Sequence, residues 1–318
     1  MEPTESSDQR ARATERAEGR IWVVGVDSSA DAGRALSWAI NRAAAAKGNG
    51  HEIHIKAVSA WSVPADSSIG LAGAGLRIDW NTDWDEVGRA NATRLVEIVN
   101  SLDHRGVLVT PVTVQGNTVQ VLFAEAIGAE LLVVGRRGMS ALKELVLGSV
   151  SRHLVTHASI PTVVVPPEAD PSAPLRRVVV GFDGSSNAAA AVQWVQSMAM
   201  NLAEDPSTLE LDVICAEEIS PLTDESTTRE RFPDEVARVE SEFEAEVQRL
   251  DPEGHLHWQL MLTAARRALI EHSVAADVTV LGARGRGAVG SAILGSVATW
   301  MLHHCTSPLI VVPDSSGS

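Results

Sequence analysis

Several features are scarce in this chain, and each scarcity excludes a class of protein. Lysine and arginine total 26 against 41 aspartates and glutamates, which leaves a net charge of -15 and a pI near 5.1. Nucleic acid and anionic membrane surfaces are therefore excluded as main partners, because both require clustered basic side chains. The only cysteines are Cys215 and Cys305, each in apolar surroundings. Two lone cysteines make no disulfide framework and fit a reducing compartment, so the expected location is the cytoplasm. No apolar run approaches the roughly 18 residues of a membrane span. The first 19 residues, MEPTESSDQRARATERAEG, lack large apolar groups. They hold no signal-peptide core and are expected to be a disordered lead-in. Also missing are a GXXXXGK[ST] loop and a kinase-type lysine with an HRD set. What remains is a 318-residue chain, 45% hydrophobic and 21% charged, within the ordinary globular range and long enough for two domains.

The chain repeats itself. RIWVVGVDSSADAGRALSWAI at 20–40 parallels RVVVGFDGSSNAAAAVQWVQS at 177–197. In both, a β-branched run reaches an aspartate (Asp27, Asp183), then serine-rich turn residues, then a helical pattern with Trp38 or Trp194 eleven residues past the aspartate. A longer match pairs residues 130–167 with 277–313 at a constant offset of 147. Between these blocks each copy holds a second strand (His51 to Ser59; Leu209 to Ala216) and a charged amphipathic helix (Asp83 to Leu102; Pro233 to Leu250). A third strand follows (Val107 to Val114; Leu256 to Leu262). Strands alternating with helical patterns imply a parallel sheet with right-handed crossovers. Runs such as LLVVG and TVVVP without polar alternation imply helices on both faces. The predicted fold is α/β: two tandem, doubly wound, five-stranded parallel-sheet domains over 20–167 and 176–313, joined by a Pro- and acid-rich linker at 168–175.

Open parallel sheets bind ligands at the carboxyl ends of strands, where strand order reverses. Asp27 and Asp183 close the first strand of each copy, and Gly135 and Gly282 close the fourth. There the sequence reads Gly135-Arg-Arg-Gly138, nine residues, Gly148-Ser149, and again Gly282-Ala-Arg-Gly285, nine residues, Gly295-Ser296. Glycines let main-chain N–H groups approach an anion with no Cβ in the way. The Gly-Ser pair opens the next helix, with Ser149 or Ser296 as expected N-cap and free N–H groups aimed at the same point. The predicted result is a phosphate cradle in each half. The aspartate, which would repel phosphate, is better placed to accept from ribose hydroxyls. Arg136, Arg137 and Arg284 are candidates to neutralise phosphate charge, or are simply solvated.

This arrangement resembles the universal stress protein family, in particular its tandem two-domain members in actinobacteria. Both copies match the family's ATP pattern of Gly, two residues, Gly, nine residues, Gly-Ser/Thr. The resemblance covers residues 20–167 and 176–313 and implies an adenine nucleotide alpha-hydrolase-like fold. It also implies ATP as ligand, alone or with Mg. By position it assigns Asp27, Val58, Gly135, Gly138, Gly148 and Ser149 to the first site, with Val150 and Ser151 completing the cradle. The second site takes Asp183, Ile214, Gly282, Gly285, Gly295 and Ser296, with Val297 and Ala298. In the family the aspartate meets adenine or ribose, and Val58 and Ile214 would meet adenine through their backbone. Ala298 stands where the family carries a hydroxyl. The second copy has MLTAARRAL where the first has the glycine-bearing VQGNTVQVL, so the second site is expected to be the weaker.

The pairs His51/His54, His255/His257 and His303/His304 could suggest metal, but the first two sit at strand starts without cysteine or carboxylate partners at ligand spacing, and no metal site is expected. His157 and His304 stand near helix C-termini, where a histidine meets the dipole favourably. The segment Ser62 to Trp84 reads as a lid or as a surface loop, and its counterpart Glu217 to Phe232 as an acidic loop without glycines. Three functions compete: a nucleotide-dependent regulator with a protein partner, an enzyme at the level of slow ATP hydrolysis, and a pseudo-dimeric scaffold with one degenerate site. No second carboxylate is placed to hold Mg²⁺ or activate water, which favours the regulator. The terminal strands of the two copies are exposed-edge candidates. The resemblance implies that this last strand mediates dimerisation, so they are expected to pair with each other or with a second chain as a homodimer.

Overall fold

The computed structural model describes residues 20–63, 83–138, 148–286 and 294–313. The N-terminal lead-in and most of the Ser62 to Trp84 segment lie outside the described residues. In the first half, strands β1 (Arg20–Gly25), β2 (Ile53–Trp61), β3 (Leu108–Gln115), β4 (Leu131–Gly135) and β5 (Thr162–Val165) alternate with four helices. These are α1 (Ala30–Gly48), α2 (Trp84–Asn100), α3 (Thr118–Glu125) and α4 (Ser149–His157). The second half repeats this with β6 (Arg177–Phe182), α5 (Ser186–Leu202), β7 (Glu210–Ala216), α6 (Glu225–Arg231), α7 (Pro233–Leu250), β8 (His257–Met261), α8 (Ala265–Ser273), β9 (Val278–Gly282), α9 (Ser296–His304) and β10 (Leu309–Val312).

Local chemistry sets these boundaries. After β1, Asp27 Oδ1 accepts the Ser29 N–H at 2.9 Å and turns the chain, and Ser29 then caps α1 by accepting from Ala32 N–H. Asp183 and Ser185 repeat both contacts before α5. Helix α7 begins with a proline, and its Val236, Val239, Phe243 and Val247 fall at helical spacing on one buried face. The segment expected to be an acidic loop, Glu217 to Phe232, contains α6. Asp224 accepts the Thr227 N–H at its start, Thr228 is buried, and Arg229 bridges to Glu240 of α7.

Among the described residues, the ten strands form one sheet in the order β3-β2-β1-β4-β5-β10-β9-β6-β7-β8. Every pairing is parallel except the central one, where β5 and β10 run antiparallel with Val163 opposite Ile310. The two terminal strands therefore satisfy each other within the chain, which resolves the expectation for their edges. Side chains alternate across the sheet, so Trp22 and Val24 enter one core while Val23 enters the other. Each core is continuous through both halves. The first lies under α1, α2, α5 and α7, and the second under α3, α4, α8 and α9.

The segment predicted as a linker is fastened at several points. Arg42 of α1 donates to the Ala173 carbonyl at 2.8 Å, Asn41 to the Pro171 carbonyl at 2.9 Å, and Leu175 N–H to Glu204 at 2.9 Å. Leu175 itself is buried.

Candidate functional site

Two glycine turns lie at the carboxyl ends of β4 and β9, facing the ends of β1 and β6. Their glycines are required by space. A Cβ on Gly135 would sit 2.7 Å from the Asp31 carbonyl carbon, and one on Gly282 would sit 2.6 Å from that of Asn187, so the first helix of each half packs against bare main chain. A Cβ on Gly138 would lie 2.7 Å from Asp27 Oδ2, and one on Gly285 would lie 2.4 Å from Asp183 Oδ2. The predicted aspartates and turn glycines thus meet at one point in each half. In the second half the Arg286 N–H donates to Asp183 Oδ2 at 3.0 Å, so part of the turn's donor set is aimed at the carboxylate.

The helices that follow open without a side-chain cap, but at a different residue from that expected. Gly148 and Gly295 are the N-caps, and Ser149 and Ser296 are the first helical residues. The cause is a main-chain bond: Gly148 N–H donates to the Arg136 carbonyl at 2.9 Å, and Gly295 N–H to the Ala283 carbonyl at 2.8 Å, holding both glycines extended. Val150 and Val297 follow, partly buried against the same core. Ser151 is turned inward, where its hydroxyl meets the Arg136 and Gly148 carbonyls, each at 3.0 Å. Ala298, at the matching place, is buried. The hydroxyl assigned to the first cradle therefore braces the turn.

The arginines divide. Arg136 is buried and points away from the cleft, which removes it from the phosphate candidates. Arg137 stays at the cleft, its Nε 3.3 Å from Asp31 Oδ2. In the second half Asn187 replaces Asp31, its Oδ1 buried without a hydrogen-bond partner, while Arg284 lines the cleft.

The second half holds a half-open cavity of about 550 Å³. Phe182, Asp183, Ile214, Ala216, Leu269 and Leu281 form its walls, and the residues of the glycine turn and the start of α9, Gly282, Arg284, Gly285, Gly295, Ser296, Val297 and Ala298, form one end. That volume lies within the range of small-molecule and cofactor sites. Thr263 stands where the first half has Gly116, and the cavity persists beside it, with Ala265, two residues on, in its lining. Ile214 contributes its buried side chain, and Val58 is likewise buried, with its carbonyl already accepting Val26 N–H at 2.8 Å. Both lie inside the ladder, so neither offers its backbone as assigned. Ala216, which went unnoticed in the sequence, is the strand's last residue on the cavity side. Its counterpart Ala60 packs on the same core. The two-residue strand period beyond Ile214 and Val58 was the signal for it.

Cys215, next to Ile214, faces the opposite core. Burial pushes its thiol up to about 12, which leaves no thiolate near neutral pH. No group of three potential metal ligands occurs among the described residues. The His157 and His304 rings bond carbonyls of their own last turns, at 3.0 and 2.8 Å. No helix is long and apolar enough to cross a membrane among the described residues.

The profile of the universal stress protein family matches residues 20–166 and again 174–313. A universal stress protein of Mycolicibacterium smegmatis is 26% identical over 301 residues, spanning 91% of this chain and 96% of its own. Universal stress protein Rv2005c of Mycobacterium tuberculosis is 27% identical over 314 residues, spanning 92% and 97%. Among solved structures, a universal stress protein from Archaeoglobus fulgidus superposes with a TM-score of 0.61 at 17% identity, covering 94% of this chain and all of its own. The functionally unknown protein PA1789 of Pseudomonas aeruginosa gives 0.60 at 15% identity, covering 95% of each chain. These two likenesses concern the fold.

Proposed function

The chain belongs to the universal stress protein family, and on that premise we propose that it is an ATP-binding regulator, with one nucleotide site in each half. The observation that carries this reading is the junction of a cavity of about 550 Å³ with a glycine turn and an uncapped helix start, built on the pattern that both halves share. Phosphates would be held by main-chain N–H groups at Gly138 and at Ser149 and Val150, and in the second half at Gly285, Ser296 and Val297. The open helix starts favour negative charge there. Arg137 and Arg284 would supply counter-charge. Asp27 and Asp183 each commit one carboxylate oxygen to a serine N–H and turn the other toward the glycine turn, where ribose hydroxyls would donate. The apolar wall of Phe182, Ile214, Ala216 and Leu281 would take the base.

Mg²⁺, which binds nucleotides largely through phosphate oxygens and water, would arrive with ATP. Occupancy would bias a conformation that a protein partner reads, so ATP acts as a signal with at most slow turnover. A homodimer would use surfaces other than β5 and β10, which are already paired. Light scattering that finds only monomer removes that part of the proposal.

Denaturing the purified protein and identifying the released small molecules is the direct test, followed by calorimetric titration with ATP. An adenine nucleotide carried or bound supports the reading. A protein that carries none and does not bind ATP overturns it. Rapid multiple-turnover hydrolysis would move the chain into the enzyme class.

A further inference from the structure

Arg136 lies inside the first glycine turn, yet its guanidinium reaches into the second half of the molecule. Its carbonyl accepts from Gly148 N–H at 2.9 Å and from the Ser151 hydroxyl at 3.0 Å, and its own N–H donates to the Val165 carbonyl at 2.9 Å. Its backbone is therefore part of the first cradle and of the seam strand β5. The side chain, only 11% exposed, donates through Nη1 to the Cys305 carbonyl at 3.0 Å and through Nη2 to both oxygens of Glu168 at 3.0 and 2.7 Å. Cys305 is the C-cap of α9, and the other end of α9 opens at Gly295 on the second cradle. A nine-residue helix is a stiff rod about 14 Å long. One arginine thus joins the first anion turn to the far end of the helix that forms the second.

We propose that Arg136 couples the two nucleotide sites, so that filling the first tightens the second; this rests on the nucleotide reading above. A ligand on the first turn orders the main chain from which Arg136 projects, and that ordering steadies the clamp on Cys305. A helix already held at its C-terminus loses less conformational entropy when a phosphate engages its N-terminus, which yields positive cooperativity without a change of shape. Filling the second site tightens the first by the same factor, because coupling free energy is reciprocal.

The strap is built once. At the place of Arg136 the second half has Ala283, and at the place of Cys305 the first half has Ala158, the C-cap of α4. Ala283 has no side chain to reach back to α4. The halves match in glycine spacing and differ at the residue that joins them, so Arg136 is a positioning residue of the second site that belongs in sequence to the first.

The test uses full-length protein and ATP. Gly138→Glu blocks the first site with a side chain and a charge, and calorimetry on that variant gives the affinity of the second site alone. The expected result is a second-site affinity about fivefold or more weaker than the second-site step in wild type. Arg136→Met is expected to erase the difference, so that Arg136→Met and the Arg136→Met/Gly138→Glu double variant bind at the second site equally. Hydrogen exchange is expected to quicken at the last-turn amides of α9 in Arg136→Met, a readout that a merely local role in the first turn would not move. If Arg136→Met does not fold, Glu168→Gln, which loosens the same guanidinium, is expected to shrink the factor. Equal second-site affinities in wild type and Gly138→Glu overturn the coupling, as does a difference that survives in the folded Arg136 or Glu168 variants. Binding at neither site removes the nucleotide reading itself, whereas two independent sites remove only the coupling.

Discussion

Arg42 of the first half and Glu204 of the second face each other in a fork, with Nη1 3.1 Å from Oε2 and Nη2 2.6 Å from Oε1. Arg42 is almost fully buried and donates as well to the Leu202 and Ala173 carbonyls. Burial raises the Glu204 carboxyl, but the Leu175 N–H and Arg42 outweigh it and hold the group below the ordinary glutamate range. A depressed carboxylate contributes stability above the unfolded pKa and loses it as pH falls through the folded one. Glu204→Gln is therefore expected to lower the melting temperature at pH 7, with the difference between wild type and variant shrinking as pH falls below the ordinary glutamate pKa of about 4.3. Glu204→Ala is expected to cost about 2 kcal/mol in urea unfolding. An unchanged midpoint would show that the fork adds nothing to the seam.

Two glycines of similar appearance are expected to respond oppositely. A Cβ on Gly282 would meet Asn187 main chain, which belongs to a packed helix and has no room to yield. Gly282→Ala should destabilise by about 1–3 kcal/mol. Gly33, inside α1, has nothing within 4 Å of an added Cβ, and Gly33→Ala should stabilise by up to about 1 kcal/mol. Chemical denaturation of both variants checks the pair, and the same sign in both would contradict the packing described.

Ser151→Ala separates bracing from ligand contact. The hydroxyl bonds two carbonyls of its own turn, so its loss should reduce stability by about 1 kcal/mol. The direct effect on ATP affinity at the first site should be smaller than that of Gly138→Glu. A large loss of affinity at unchanged stability would return Ser151 to the phosphate shell.

The two thiols should be silent in the folded protein. Cys215 and Cys305 are buried, and the Cys215 thiol is held near 12 by burial. A thiol reagent at pH 8 should label neither until denaturant is added, whereupon both react. Rapid labelling of the native protein would place one of them at a surface.

The duplicated fold was legible in the sequence because it rests on local chemistry. The Asp27-Ser29 and Asp183-Ser185 turns, the β-branched runs and the helix of Val236, Val239, Phe243 and Val247 are each set by neighbours along the chain. The glycine spacing was equally legible, since a cradle of main chain must declare itself by missing side chains. Other features depend on residues far apart in sequence. Ser151 and Arg136 turned out to serve the turn and the seam because Gly148 N–H, Cys305 and Glu168 come to them in space. Whether the last strands pair within the chain or with another was open until β10 lay antiparallel to β5, a pairing accompanied by the Arg42–Glu204 ion pair and the packing of α1 on α5. Residue type and spacing thus determined two like domains with two like turns. Tertiary structure alone decided that they form one sheet, and that a single arginine joins one turn to the other's helix, because hydrogen bonds across the seam have no signature in local sequence.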